Sequence, residues 1–317
     1  MTVQSRQALI IGFVGRCNSG DELMLEMHLE ILKRLGFEQV DIWTELVKDA
    51  TAARRPLFWA ARKQYELVVV GGGGLDIGYG FYPLSLAKYR YGATTIMSSI
   101  NLPSHDDGYL NVLNGLCDCI ITRKQEEYIA LRAKMPALRF LPDVATTYCS
   151  PAEATLDRIA VVLRANVVPL LGFAPAEEFD VLVLSEWDAA ASRQYASEYR
   201  APIVELARQD PRTHVDALRQ YRRVISAGRF HAALYAADFQ DRLVYLYPTL
   251  YKELPEGIRA IKGRIPWAQI REVGQAHAAE TKAGICSTRL AEYGRATKQQ
   301  YLELFQAAMA TKSGPVA

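Results

Sequence analysis

Long apolar runs, blocks of one charge and paired cysteines are all missing from this chain of 317 residues, and each absence removes a class of protein. No apolar stretch approaches the ~20 residues that a helix needs to cross a bilayer, and no basic start leads into an apolar core. The chain is therefore expected to be soluble and cytoplasmic, with a peripheral association with the inner membrane left open. Basic and acidic residues nearly balance, 37 against 35, for a formal charge of +2. With no basic block to follow a phosphate backbone, nucleic acid is not an expected partner. Five cysteines (Cys17, Cys117, Cys119, Cys149 and Cys286) are too few and too scattered for a disulfide framework. Cys117-x-Cys119 also lacks a second pair to complete a zinc site, so all read as buried thiols. The histidines fall in no ligand-like spacing and there is no Asp-x-Asp run, so no metal requirement is expected. The dinucleotide fingerprint fails as well. Gly71-x-Gly73 would need a third glycine where Asp76 stands, and the first turn offers only Gly12-x-x-Gly15, so NAD and FAD are disfavoured and no cofactor is expected. Internal repeats and low-complexity segments are absent too.

What is present is an alternation of short apolar strands with helical segments. Half the residues are apolar, an ordinary globular composition, and the length exceeds what one hydrophobic core usually serves. Strands are predicted at Gln7–Phe13, Val40–Trp43, Leu67–Val70, Ala93–Ser98 and Cys119–Thr122. Helices are predicted after Glu22, around residues 53–64, around 81–91 and around 124–134. In the first of them Met24, His28, Ile31 and Leu35 share one face and Gly36 stops it, which makes His28 a packing residue. Pro142-Asp143 and the polar run 146–155, with Pro151, interrupt the pattern and predict a boundary. The alternation then restarts: Ile159–Leu163 ending in Arg164, Val181–Leu184, Ile203–Leu206, Val224–Ala227 and Leu243–Tyr247, with helices near 188–199 and 213–221. Beyond Pro266 the pattern is helical over about 268–282 and 288–309, with a tail expected to be disordered. Two such successions predict an α/β protein of two Rossmann-like domains facing a cleft. The domains are residues 1–150 and 151–286, with 287–317 as a helix and tail packing near their junction.

The stretch from Val224 to Tyr235 organises this reading. A strand that stops at Gly228 would hand Arg229 and His231 to the carboxyl edge of a parallel sheet, where open α/β folds bind ligands and where an anion is well received. Taken alone, His231 reads equally as a core histidine and Arg229 as a solvated charge. Arg123 stands at another strand end, a position often filled by a plain cap or surface residue. The glycines after Val70 let a backbone turn sharply or approach a ligand, but close strand-to-helix packing needs them just as well.

In order along the chain stand Gly15-x-x-Asn18-x-Gly20-Asp21-Glu22, Val69-Val70-Gly71-Gly72-Gly73, Ile121-Thr122-Arg123-x-x-Glu126, Pro142-Asp143, Val162-Leu163-Arg164 and Ser226-x-Gly228-Arg229-Phe230-His231-Ala232-Ala233. Together they resemble the polysaccharide pyruvyl transferase family, whose members resemble two-domain glycosyltransferases of the GT-B type. Phe230 stands where the family has leucine between arginine and histidine, and Gln240-Asp241-Arg242 replaces the usual small-residue-and-proline entry to the next strand. The resemblance implies transfer of the enolpyruvyl group of phosphoenolpyruvate onto two hydroxyls of a sugar, as a cyclic ketal, in a polysaccharide or its precursor. It also implies His231 as the acid/base, Arg229 and Arg123 clamping phosphate and carboxylate, and Lys252 or Arg164 as a further cation. Asn18, Asp21, Glu22, Gly72 and Gly73 would line the acceptor side, with a purely structural role as cap and turn equally open for them. The acceptor could be a free or lipid-linked sugar, a nucleotide sugar or finished glycan, and homo-oligomers are compatible with the chain. A GT-B glycosyltransferase using a nucleotide sugar, or a non-catalytic sugar- or nucleotide-binding relative, would share the architecture.

Overall fold

The computed structural model describes residues 6–12, 14, 18–43, 64–73, 84–85, 88–89, 91–102, 104–148, 153–168, 171–236, 242–246, 256–280 and 298–311. The chain divides into two compact units. The first comprises Met1–Arg16, Gly20–Thr147 and Arg295–Ala317, and the second Tyr148–Gly294 with Cys17–Ser19.

In the first unit β1 (Gln7–Ile11), β2 (Gln39–Trp43), β3 (Leu67–Gly73), β4 (Thr94–Ile100), β5 (Cys119–Thr122) and β6 (Leu138–Phe140) form one sheet in the order β2-β1-β3-β4-β5-β6. Every pairing in it is parallel. A parallel sheet is covered on both faces, which is why all seven residues of β4 are buried, its threonines and serines included. Helix α1 (Ser19–Arg34) follows β1. Its expected inner face is met, with Met24, His28 and Ile31 each 1% exposed. It ends as predicted, because Gly36 takes a φ of +80° and the Phe37 N–H returns to the Leu32 carbonyl, a left-handed cap that spares a side chain the steric cost. Asp21 and Glu22 in the first turn face the positive end of the helix dipole, and Lys33 and Arg34 the negative end.

The predicted helices over 53–64 and 81–91 lie wholly or largely outside the described residues. Helix α2 (Asp107–Leu116) was not foreseen. Asp106 caps it by accepting the Tyr109 N–H at 2.8 Å, and Leu110, Leu113 and Leu116 bury its inner face. Helix α3 (Gln125–Leu131) follows β5 as expected.

The second unit repeats the scheme with β7 (Leu156–Leu163), β9 (Phe179–Val183), β10 (Ile203–Glu205), β11 (Tyr221–Ala227) and β12 (Leu243–Leu246), again all parallel, in the order β10-β9-β7-β11-β12. Two short strands that the pattern did not reveal, β8 (Phe173–Pro175) and β13 (Gly263–Ile265), pair beside it. Helices α4 (Ala189–Tyr199), α5 (Pro211–Gln220) and α6 (Phe230–Tyr235) connect the main strands, and α7 (Glu256–Arg259) and α8 (Trp267–Glu280) follow β12. Asp210 accepts the Arg212 N–H at 2.9 Å and Pro211 opens α5, the pairing of cap and proline expected at a helix start.

The last helix, α9 (Lys298–Ala310), belongs to the first unit and packs on β4 and β5. Tyr301 and Phe305 are fully buried there, each worth about 1.5–3 kcal/mol by area removed from water. The Tyr301 hydroxyl donates to the Pro142 carbonyl at 2.7 Å, and Phe305 stacks on His28 at 6.2 Å. The tail after Thr311 lies outside the described residues. No described helix is long and apolar enough to cross a membrane.

Candidate functional site

Strand order tells where each sheet opens. In the second unit the chain runs outward from β7 through β9 to β10, then returns to the other side of β7 as β11 and continues to β12. The two connections leaving the β7 and β11 ends diverge, and this reversal is where open α/β sheets leave a crevice for a ligand. Arg164 follows β7, and Gly228-Arg229 follows β11. Two pieces far apart in sequence are thereby brought to one point: the Arg164 N–H bonds the Ala227 carbonyl at 2.9 Å. Gly228 is required on two counts. Its φ is +82°, and a Cβ there would stand 3.0 Å from both Arg164 Cβ and Val167 Cγ2.

Asp188 ties this point together, and sequence reasoning did not single it out. It ends a short 3-10 turn, Glu186–Asp188, beyond β9 and is 2% exposed. One carboxylate oxygen accepts the Ala165 N–H at 2.9 Å, and the other binds Arg229 through both Nε and Nη2. Burial pushes its carboxyl above the ordinary range, opposed by Arg229, the Ala165 N–H and Arg164. The signal available in the sequence was an acidic residue in the turn leaving a buried strand. The Ser226 hydroxyl donates to the Arg229 carbonyl at 2.6 Å, fixing the backbone as it enters α6. His231 lies half-buried in the first turn of α6. Phe230 meets its ring edge-on at 5.3 Å, and Tyr235 lies at 6.2 Å. Arg164 and Arg229 thus stand at the second unit's opening, and His231 follows two residues on, in the first turn of α6. Lys252 lies outside the described residues.

Arg123 has a different setting. It stands at the end of β5 in the first unit, 7% exposed. Its Nη1 binds Asp143 at 2.6 Å and its Nε the Asn101 side chain at 3.0 Å. The other Asp143 oxygen accepts the Ala145 N–H at 2.9 Å. The sequence pieces around Arg123 and Pro142-Asp143 are therefore one ion pair that closes the turn after β6. Glu126 is exposed; the buried carboxylate of α3 is Glu127, which accepts the Thr122 hydroxyl at 2.6 Å and the Leu102 N–H at 3.2 Å.

The first unit's own reversal lies between β1 and β3. Gly12 ends beside Gly71, whose carbonyl would stand 2.9 Å from a Cβ at Gly12. Asn18 directly precedes α1; Asp21 is buried and Glu22 half-buried. Of the two readings open for the glycine stretch, turn or close packing, the structure takes the second: Gly71, Gly72 and Gly73 continue β3, with Gly71 pairing Ser98 and Gly73 pairing Ile100. Gly71 is bare for packing, since a Cβ there would stand 2.5 Å from the His28 ring. That ring, fully buried and bonded to the Ser98 hydroxyl at 2.8 Å, is the packing residue expected. Burial lowers its pKa to about 4, against the pull of Asp143. Among the remaining sulfurs, Cys117 and Cys119 are unbridged and buried, and burial raises their thiols to about 12 and about 11.

No family model and no curated protein matches the chain. Solved structures do match along its whole length. UDP-GlcNAc 2-epimerase from Methanocaldococcus jannaschii is 9% identical with a TM-score of 0.56, over 95% of this chain and 99% of that one. MurG of Acinetobacter baumannii is 12% identical with a TM-score of 0.50, over 96% of this chain and 100% of that one. At such identities the likeness concerns the fold, which is the two-unit α/β architecture of the GT-B type expected from the sequence.

Proposed function

We propose that this protein is a sugar-directed transferase whose donor presents an anion to the opening between β7 and β11. The observation that supports it is the meeting there of Arg164 and Arg229, with His231 in the first turn of the helix that follows. Asp188 holds Arg229, and Arg164 is near enough to oppose the rise of the Asp188 carboxyl. Forked guanidiniums suit carboxylate and phosphate oxygens, and a half-buried imidazole beside them can move a proton.

For the donor, the ordered residues that resemble the pyruvyl transferases favour phosphoenolpyruvate. In that reaction C3 of the donor takes a proton while a sugar hydroxyl oxygen bonds to C2 and loses its own proton to a base. Phosphate then leaves C2 with the bonding electrons, and a second hydroxyl closes the ketal, releasing its proton. His231 serves as the proton-carrying group, while Arg229 and Arg164 hold the phosphate and carboxylate oxygens. Arg123, bound internally to Asp143, has its main role in holding the first unit together. The acceptor is a sugar hydroxyl pair, and the opening between β1 and β3, with Asn18, Asp21 and Glu22 near it, is the place assigned to it.

The second reading is a nucleotide-sugar glycosyltransferase, and it is the one the structural comparisons favour, because the epimerase named above bears a UDP-sugar in its name. Its diphosphate would use the same two arginines. One experiment separates the two readings: purified protein is given a panel of sugar acceptors with either phosphoenolpyruvate or UDP-sugars, and phosphate and UDP release are both followed. Acceptor-dependent phosphate release that disappears in His231→Ala supports pyruvyl transfer. UDP release without phosphate release replaces it with glycosyl transfer.

A further inference from the structure

A second concavity lies in the second unit, away from the arginine pair, at the carboxyl ends of β9 and β10. It has a volume of about 690 Å³ and is lined by Glu186, Arg193, Glu205 and Arg208, with the small side chains of Ala189 and Ala207 leaving it open. That volume lies inside the range usual for small-molecule sites. The lining is an alternation of donors and acceptors. Arg193 binds Glu205 through Nε at 2.8 Å and Nη2 at 2.7 Å, and Arg208 binds Glu186 at 2.6 Å. These pairs are exposed, the Arg208 side chain at 86%, so solvent screens them and they can rearrange around a ligand at little cost. Two cations against two carboxylates leave no net charge, which selects no anion. What such pairs offer is guanidinium donors and carboxylate acceptors side by side, the arrangement that satisfies vicinal hydroxyls. Directly after Glu186 stands Trp187, 44% exposed, one of the few large apolar side chains on the described surface. Trp187 does not line the concavity itself, but an exposed indole in the turn that supplies Glu186 offers a flat apolar face of the kind that suits the C–H side of a pyranose ring.

We propose that this pocket is a binding subsite for a neutral saccharide. Glu186 and Asp188 belong to one turn, so the element that forms the pocket wall also holds Arg229. Through that turn the glycan would be registered against the donor site. The proposal rests on the sugar-directed reading above, but its test measures binding and not turnover, so the two can fail separately.

The probes are neutral tri- and tetrasaccharides of glucose, galactose and N-acetylglucosamine, titrated into the full chain by calorimetry. At least one should bind. Trp187→Ala and Glu186→Gln should each weaken it about tenfold, the scale of losing one well-placed interface contact. Binding of phosphoenolpyruvate or UDP at the arginine pair should stay as in the unsubstituted protein. Both substituted side chains are exposed, so the variants should fold, and circular dichroism checks that they do. Saccharide binding that neither variant weakens, or no binding by any probe, overturns the proposal.

Discussion

The two units each place an arginine at a strand end against a buried aspartate, and the two pairs differ in what surrounds them. Arg123 leaves β5, and Arg229 leaves β11. The Arg123 and Asp143 side chains are 7% and 1% exposed, those of Arg229 and Asp188 15% and 3%. The larger difference is position in the sheet. β11 borders the reversal of its sheet, whereas β5 stands beyond β3 and β4 from the reversal of its own. A strand-end arginine at a reversal faces a crevice; the same residue farther along the sheet becomes a strut for a turn. Asp143 receives Arg123 and the Ala145 N–H, whereas Asp188 holds both the arginine and the loop carrying Arg164.

The comparison can be broken by substitution. The largest effect is expected at the crevice: His231→Ala should lower kcat by about 10²–10⁴ while leaving donor binding nearly intact, the usual result of removing a general acid/base. Turnover at the unsubstituted rate would return Arg229-Phe230-His231 to a structural strand-to-helix junction. At the strut, Arg123→Ala should cost about 3–5 kcal/mol of stability, because it leaves the Asp143 carboxylate buried without its cation. Urea unfolding reads this directly. A loss of donor binding with unchanged stability would show that Arg123 is a ligand residue after all, as the family resemblance implied.

The first unit should also carry a pH signature of its own, through His28. His28 titrates near 4 in the folded chain against 6.5 for an unperturbed imidazole. The unfolded state therefore binds more protons between those values. His28's contribution is present above about 6.5 and is lost as pH falls through about 4, a change of about 3 kcal/mol. His28→Gln should flatten the dependence of the urea midpoint over this window by one proton's slope; an unchanged slope would assign the dependence to other groups. Arg229→Ala should raise the donor dissociation constant about tenfold or more, through loss of charge-assisted bonds, with Arg229→Lys recovering only part. Equal donor affinity in all three proteins would remove Arg229 from the site. The smallest effect is expected from Gly228→Ala, about 1–2 kcal/mol for a left-handed residue, with donor affinity falling because Arg164 Cβ must give way. A stability equal to that of the unsubstituted protein would mean the turn relaxes without cost.

Much of the fold was legible before any coordinates. The strand at 159–163, the α1 stripe of Met24, His28 and Ile31 and the stop at Gly36 all follow from local periodicity and backbone preference, which act over a few residues. The glycine stretch left a turn and close strand-to-helix packing equally open, and the structure selects packing at Gly71 through a contact at a distance: the His28 ring of α1 fills the place of a Cβ there. Strands β6, β8 and β13 were not foreseen because three residues carry little periodic signal, and α2 was not because its ten residues fall short of the window over which helical periodicity is read. The candidate site divides in the same way. Arg164, Arg229 and His231 could be nominated from strand-end positions, but Asp188, which ties Arg229 to the loop after Arg164, could not be linked to them by spacing.

By itself the sequence determined the main strands of both units, that the sheets are parallel and doubly covered, and which residues fall at those strands' ends. These depend on apolar runs, glycine and proline, whose effects are local. Only the tertiary structure decided which strand ends lie at a reversal. Strand order is set by packing between distant segments, and that order makes Arg229 face a crevice and Arg123 hold a turn.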